Sequence, residues 1–264
     1  MKIYISADME GIAGIVHGDQ TEEGAEFMQS RKLMTEEVNA AIRGAFSGGA
    51  TEVLVNDSHN TMRNIIIEDL DPRASLISGN KKPLSMMEGV DMGFDGVILV
   101  GYHAKAGAPG VISHTYSGII RSLKINGYEL GEAGLNGLVA GCFNVPLIMA
   151  TGDDKLCEEV RAFFGEVETV AVKRYISRNA AQSRPLKDVY KDIEATAKKA
   201  VKGIKNFKPK RLEGPYAMEV VFQNIILTDM AAARIPGVKA VDSSTINFNS
   251  TEVLDVFKVF LNIS

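Results

Sequence analysis

Short apolar, β-branched runs recur through the first two thirds of the chain, and between them lie longer stretches with apolar residues at helical spacing. The runs predict strands at 2–7, 52–56, 74–77, 96–102, 119–125, 145–150 and 167–172. The stretches predict helices at 21–48, 128–142 and 153–163, the first closing at the Gly48–Gly49 pair. Strand and helix in alternation imply βαβ units, and so an α/β fold with a mainly parallel sheet flanked by helices.

The pattern changes near residues 175–185. A polar, Lys- and Ala-rich segment spans 178–212 and predicts a helix that ends in a Gly and a Pro-bearing basic turn. Beyond it YAMEVVF reads as a strand, TDMAAARI as a short helix, VKAVDSSTINF as one or two strands, and 251–262 as a last helix. The expected division is a metal-binding α/β catalytic domain over 1–180 and a smaller C-terminal α+β domain over 181–264.

Composition narrows the partners more than the fold. Apolar residues make up 45% and charged residues 23% of 264, and the net charge is −4, so neither nucleic acid nor a membrane is expected as a partner. No window approaches the length of a membrane span and the start carries no secretory pattern, which points to a cytoplasmic protein. Cys142 and Cys157 lack CxxC spacing and are expected as reduced thiols.

The candidate chemistry sits where strands stop. The first strand ends in ISADMEG, which places the carboxylates of Asp8 and Glu10 two residues apart and therefore on one side of an extended chain. EVLVNDSH puts His59 just past the second strand, and GVILVGYHA puts His103 just past the fourth. Ligands of open parallel sheets bind outside the carboxyl ends of the strands, so these four side chains can converge. Two adjacent carboxylates are tolerable if divalent cations lie between them, and carboxylate with imidazole suits zinc, manganese, cobalt or iron. ELGEAGLNG adds Glu129 and Glu132 as further donors, and His114 in the glycine-rich KAGAPGVISHTYSG suits a loop-borne general acid or base. Taken singly, a strand-end Asp is also an ordinary helix cap and a strand-end His an ordinary structural residue; the agreement of three strand ends brings the metal site level with those readings. His17 has no partner pattern and reads as structural or exposed. GIAGIVHG lacks dinucleotide spacing, and neither GxSxG nor HExxH occurs.

SADMEG matches the SxDxEG signature of the D-aminopeptidase family of binuclear zinc peptidases, and the chain resembles that family further in LMTEEVNAAI, TEVLVNDSHN, LISGNKKPLSMMEG, LVGYHAKAGAPGVISHT, GEAGLNG, VPLIMATGDD and VKRYISRNAA. The resemblance is strong over about 1–182 and fades beyond. It implies two zinc ions per subunit held by Asp8, Glu10, His59, His103 and Glu132, with Asp8 bridging, His114 as the catalytic histidine, and Glu129 outside the matching position. It also implies a homodecamer acting on short peptides. Lys173 and Arg178 are candidates for orienting the substrate. The expected activity is an aminopeptidase for short peptides or amino-acid amides with an N-terminal D-residue. A metal-dependent amidase, an L- or Gly-preferring peptidase and a peptide-binding accessory of a transporter are the alternatives.

Overall fold

The computed structural model describes residues 1–264. The elements in chain order are β1 (Lys2–Ala7), α1 (Phe27–Gly48), β2 (Glu52–Asp57), β3 (Ser75–Ile77), β4 (Gly96–Val100), β5 (Ile120–Ile125) and β6 (Tyr128–Glu129). They continue as α2 (Glu132–Cys142), β7 (Leu147–Asp153), α3 (Asp154–Phe164), β8 (Glu168–Ser177), β9 (Ala180–Ser183) and α4 (Leu186–Lys202). The last are β10 (Tyr216–Phe222), α5 (Ile225–Arg234), β11 (Lys239–Ala240), β12 (Thr245–Ser250) and α6 (Val253–Leu261). No helix is long and apolar enough to cross a membrane.

The strands form two sheets. The first has the order β3-β2-β1-β4-β7-β8-β9 and is parallel except where β9 turns back on β8. The second is antiparallel, with the order β11-β12-β10-β5-β6. Central strands of the first sheet are buried on both faces, which is why β1, β2 and β4 read as continuous apolar runs rather than alternating ones. Alternate residues still serve different layers. Ile3, Ile5, Val53 and Val55 pack with α1 and α4, while Tyr4, Leu54, Val97 and Leu99 pack with α2, α6 and the second sheet.

Several expected boundaries shift for local reasons. The first helix begins at Phe27 and not near 21, because the acidic, exposed segment around Gly24 has no apolar face to bury. The second begins at Glu132, since Tyr128 and Glu129 pair with β5. Within 178–212, residues 180–183 form β9 and only Leu186–Lys202 is helical. The chain also crosses the expected division near 180 in both directions. β9 and α4 complete the first sheet and its outer helical layer, while β5 and β6 from the first half supply one edge of the second sheet.

Strand order fixes the place of the site. From β1 the chain runs outward through β2 to β3, then returns to β4 on the other side of β1 and continues to β7. The carboxyl ends of β1 and β4 therefore flank the point where the sheet reverses its winding, the crevice in which such folds bind ligands.

Candidate metal centre

Asp8 follows the last residue of β1, and its N–H still donates to Val100 O at 2.8 Å, so the strand end is held to β4 up to the first carboxylate. Gly11 follows Glu10 and donates to Gly101 O at 2.7 Å. The approach is so close that a Cβ on Gly11 would lie 1.9 Å from Tyr102 O, and one on Gly101 would lie 2.2 Å from Asp8 O. Both positions require glycine to let two strand ends touch through their main chains.

Asp57 closes β2 and accepts the N–H groups of Asn64 and Ile65 at 2.5 and 2.7 Å and the Asn64 amide at 2.8 Å. That folds the following loop back and returns His59 to the crevice, where Asn64 also donates to His59 O at 2.7 Å. His103 arrives from β4 through Gly101, and Glu132 is the first residue of α2.

Six side chains meet there. His59 Nδ1 lies 3.3 Å from Asp8 Oδ1 and 3.0 Å from Glu10 Oε2. His103 Nε2 lies 3.5 Å from Asp8 Oδ2 and 3.3 Å from Glu132 Oε1, and His114 Nε2 lies 3.6 Å from Glu132 Oε1. Donor atoms of Asp8, Glu10 and His103 all lie within 4.8 Å of one another, as do those of His103, His114 and Glu132. His103 therefore belongs to both groups.

Each imidazole is oriented by a main-chain carbonyl. His59 Nε2 is 2.8 Å from Thr21 O, His103 Nδ1 is 3.0 Å from Ala104 O, and His114 Nδ1 is 2.9 Å from Ile112 O. A carbonyl only accepts, so these nitrogens carry the proton and the opposite nitrogen of each ring faces the cluster, the arrangement by which proteins fix a ligating tautomer.

The cluster is poorly satisfied by itself. Asp8 Oδ2, Glu10 Oε2 and His103 Nε2 are buried without a well-formed hydrogen bond, although Glu10 Oε2 is near the His59 ring. Burial, together with the neighbouring Glu10 carboxylate, raises the Asp8 carboxyl to about 7. Burial also works against ionised Glu10, but His59, with His114 and His103, holds it well below the usual carboxylate range. Burial opposes charge on His103, yet Glu132, then Asp8 and Glu10, lift it to about 10. Burial and the His103 charge lower His114. Without a cation, the cluster is stable only by retaining protons on groups that would otherwise shed them. Three orphaned donors, three carboxylates and three inward-facing imidazole nitrogens fit divalent metal ions.

The structure brings together Asp8, Glu10, His59, His103, Glu132 and His114, the residues singled out in the sequence. Glu129 does not join them: it lies exposed in β6, where Ser122 Oγ donates to it at 2.9 Å. His17 caps a short turn over Gly18–Gln20 and accepts from Asp19 N at 3.2 Å.

Lys173 and Arg178 both brace loops at the site. Lys173 is 1% exposed and its ammonium donates to Glu10 O, Ile12 O and Ile15 O at 2.5, 2.9 and 2.6 Å. All three of its protons are spent on the loop after β1, and burial lowers it to about 8. Arg178 donates to Ser113 O, while Arg178 O accepts from Ile112 N at 2.9 Å, so it pins the loop that carries His114. Strict alternation along β8 would turn Lys173 away from the face of Val172, and a register shift there buries both, so no sequence pattern marked it.

The cluster opens into a cavity of about 580 Å³ in which Asp8, Glu10, His59, His114 and Glu132 form part of the wall. Comparison with known proteins places the chain as a whole. A family model described as D-aminopeptidase matches residues 1–262. A D-aminopeptidase of Bacillus subtilis (strain 168) is 39% identical over 264 residues, which is 99% of this chain and 96% of the relative. A solved structure described as the Zn-dependent D-aminopeptidase DppA from Bacillus subtilis, a self-compartmentalizing protease, aligns with a TM-score of 0.97 at 37% identity, across 100% of this chain and 96% of that one. With the strand-end donor cluster, the cavity beside it and a match along nearly its whole length, the chain belongs to the D-aminopeptidase family of peptidases.

Proposed function

We propose that the chain is a two-metal aminopeptidase that releases an N-terminal D-residue from short peptides. The observation that carries this reading is the convergence of three buried, unpartnered donor atoms, Asp8 Oδ2, Glu10 Oε2 and His103 Nε2, at an open cavity. Asp8, Glu10, His59, His103 and Glu132 are the proposed ligands. Asp8 is the proposed bridge, because its two oxygens face different imidazoles, Oδ1 toward His59 and Oδ2 toward His103. Two zinc ions bound there would supply Lewis-acid polarisation of the scissile carbonyl and an activated water.

The chain's own residues supply the rest. His114 is about a quarter exposed and carries its free nitrogen, Nε2, on the cavity side of the cluster, which suits it to hold and pass a proton to the departing amine. Its ring position is set from three sides, by the Ile112 carbonyl, by the Arg178 brace on Ser113 and by the His103 ring. Glu132 accepts the Tyr116 N–H at 2.6 Å, which fixes the carboxylate and lays Tyr116 along the cavity wall.

The Bacillus subtilis protease is described as self-compartmentalizing. We extend this to the present chain as a homo-oligomer in the cytoplasm, with the decamer as the expected form. Ile225, Ile226 and Met230 of α5 and the nearby Val241 are exposed apolar surface that a second copy would cover. Sedimentation of the purified protein tests the assembly.

The activity is tested by elemental analysis of the protein together with hydrolysis of D-alanyl and L-alanyl p-nitroanilides before and after chelation. About two ions per chain and chelator-sensitive cleavage of the D-substrate are expected. No metal, and no cleavage after zinc is restored, would sink the reading.

A further inference from the structure

The cavity wall carries a cation that the metal chemistry does not use. Residues 78–84 connect β3 to a short turn at Ser85–Met87 and bring Asn80, Lys81 and Lys82 to the same cavity as Asp8 and His114. The two lysines are not equivalent. Lys82 Nζ donates to Asn56 Oδ1 and Asp57 O, both at 2.6 Å, which ties the loop to the end of β2 just before His59. Lys81, exposed along the wall, makes no ion pair and no hydrogen bond through its ammonium.

The backbone there is also unusual. Lys81 has φ +60°, the left-handed region that ordinary residues avoid, and Asn60, Met62, Ser85 and Tyr116 on the same wall share that region. Five of the chain's eight such non-glycine residues line this one cavity. Strained backbone concentrated in this way marks a surface shaped for a ligand.

The charges of a short peptide fit this wall. Its N-terminal end meets the acidic donor cluster, and its C-terminal carboxylate, entering a cavity already lined by the carboxylates of Asp8, Glu10, Glu22 and Glu132, needs a cation of its own. Each residue spans at most roughly 3.3–3.6 Å of extended chain, so only a short peptide can hold its scissile bond at the cluster and its carboxylate inside the same cavity. We propose that Lys81 binds the C-terminal carboxylate of the substrate, so that the enzyme selects short peptides with a free carboxyl terminus over their amides and over amino-acid amides. This rests on the aminopeptidase reading and names the substrate class of that same site.

The test is kinetic. D-alanyl peptides with one, two and three following glycines are each presented as the free acid and as the C-terminal amide to the zinc-loaded full chain and to its Lys81→Met and Lys81→Arg variants. Wild type is expected to favour the free acid at its preferred length by about tenfold or more in kcat/KM, mainly through KM. K81M collapses that ratio to about twofold or less, and K81R keeps most of it. Equal kcat/KM for acid and amide in wild type, or a wild-type ratio in K81M, overturns the proposal while leaving the peptidase reading intact. Failure to cleave any peptide of either series overturns both.

Discussion

His103 and His114 stack face to face, their ring centroids 4.1 Å apart and their planes 9° from parallel. They nevertheless occupy different surroundings: His103 is 1% exposed and flanked by Asp8 and Glu132, whereas His114 lies on the wall of the cavity. Contact this close discourages charge on both rings, so the pair divides one environment into a buried donor and a proton carrier.

That division separates two variants. His103→Ala removes the donor shared by both groups and is expected to lose bound metal and turnover together. His114→Ala is expected to retain metal and to lose about 10²–10⁴ in kcat, the usual contribution of a general acid or base. Metal analysis of both proteins beside their kcat values decides it, and full metal in H103A with full turnover would contradict the site.

Lys173 predicts an effect out of proportion to its distance from the surface. Lys173→Met leaves the carbonyls of Glu10, Ile12 and Ile15 without a donor inside the fold. A loss of about 3–5 kcal/mol of stability is expected, with weakened metal binding because Glu10 is one of the released residues. Urea unfolding of the apo and metal-loaded forms measures both, and a variant within about 0.5 kcal/mol of wild type would refute the brace.

Glu37 gives the protein a pH dependence of known sign. It is fully buried in α1, accepts the Ala13 N–H at 2.8 Å through one oxygen and leaves the other unpartnered. Burial raises it from 4.5 to about 7, against the opposing pull of that hydrogen bond and Lys173. Between those values the folded chain keeps a proton that the unfolded chain has released, so this contribution is complete below about pH 4.5 and is lost as pH rises through about 7. Glu37→Gln removes the titration. The stability of wild type relative to E37Q is expected to fall by roughly 3 kcal/mol between pH 4.5 and 8, as read from urea unfolding, and a flat difference would show that Glu37 is already ionised.

Gly11 is the residue that lets the first strand end in two carboxylates. Gly11→Ala would drive a methyl group into the main chain at Gly101 and Tyr102 and is expected to cost roughly 3 kcal/mol or more, with loss of metal. Gly24→Ala, where a new Cβ finds its nearest neighbours at 3.9 Å, is the control and should change the urea midpoint little.

The sequence made the strand-end residues legible because a parallel sheet has one active end, and Asp8, Glu10, His59 and His103 all lie just past apolar runs. The residues alone offered both Glu129 and Glu132, the resemblance chose Glu132, and the pairing of Tyr128 and Glu129 with β5 gives the physical reason by moving the helix start to residue 132. The second sheet was opaque for a different reason. β5 pairs with β10 across nearly the whole latter half of the chain, and no local pattern records so distant a partner. Lys173 reads in the sequence as a candidate for orienting the substrate, and no local pattern shows that the register shift opposite Asp153 buries it. Lys81 drew no notice, since an exposed lysine acquires meaning only from the wall on which it stands.

The Lys173 brace also ties the first loop to a distant part of the chain. Every proposed metal ligand lies within the first half of the chain, from Asp8 to Glu132, but the loop that follows Glu10 is tied down by an ammonium on β8. A chain that ends before β8 contains the full proposed ligand set but lacks the ammonium that holds the carbonyls of Glu10, Ile12 and Ile15. The loop that carries Glu10 thus takes one of its anchors from a strand that lies well beyond the last proposed ligand in the chain.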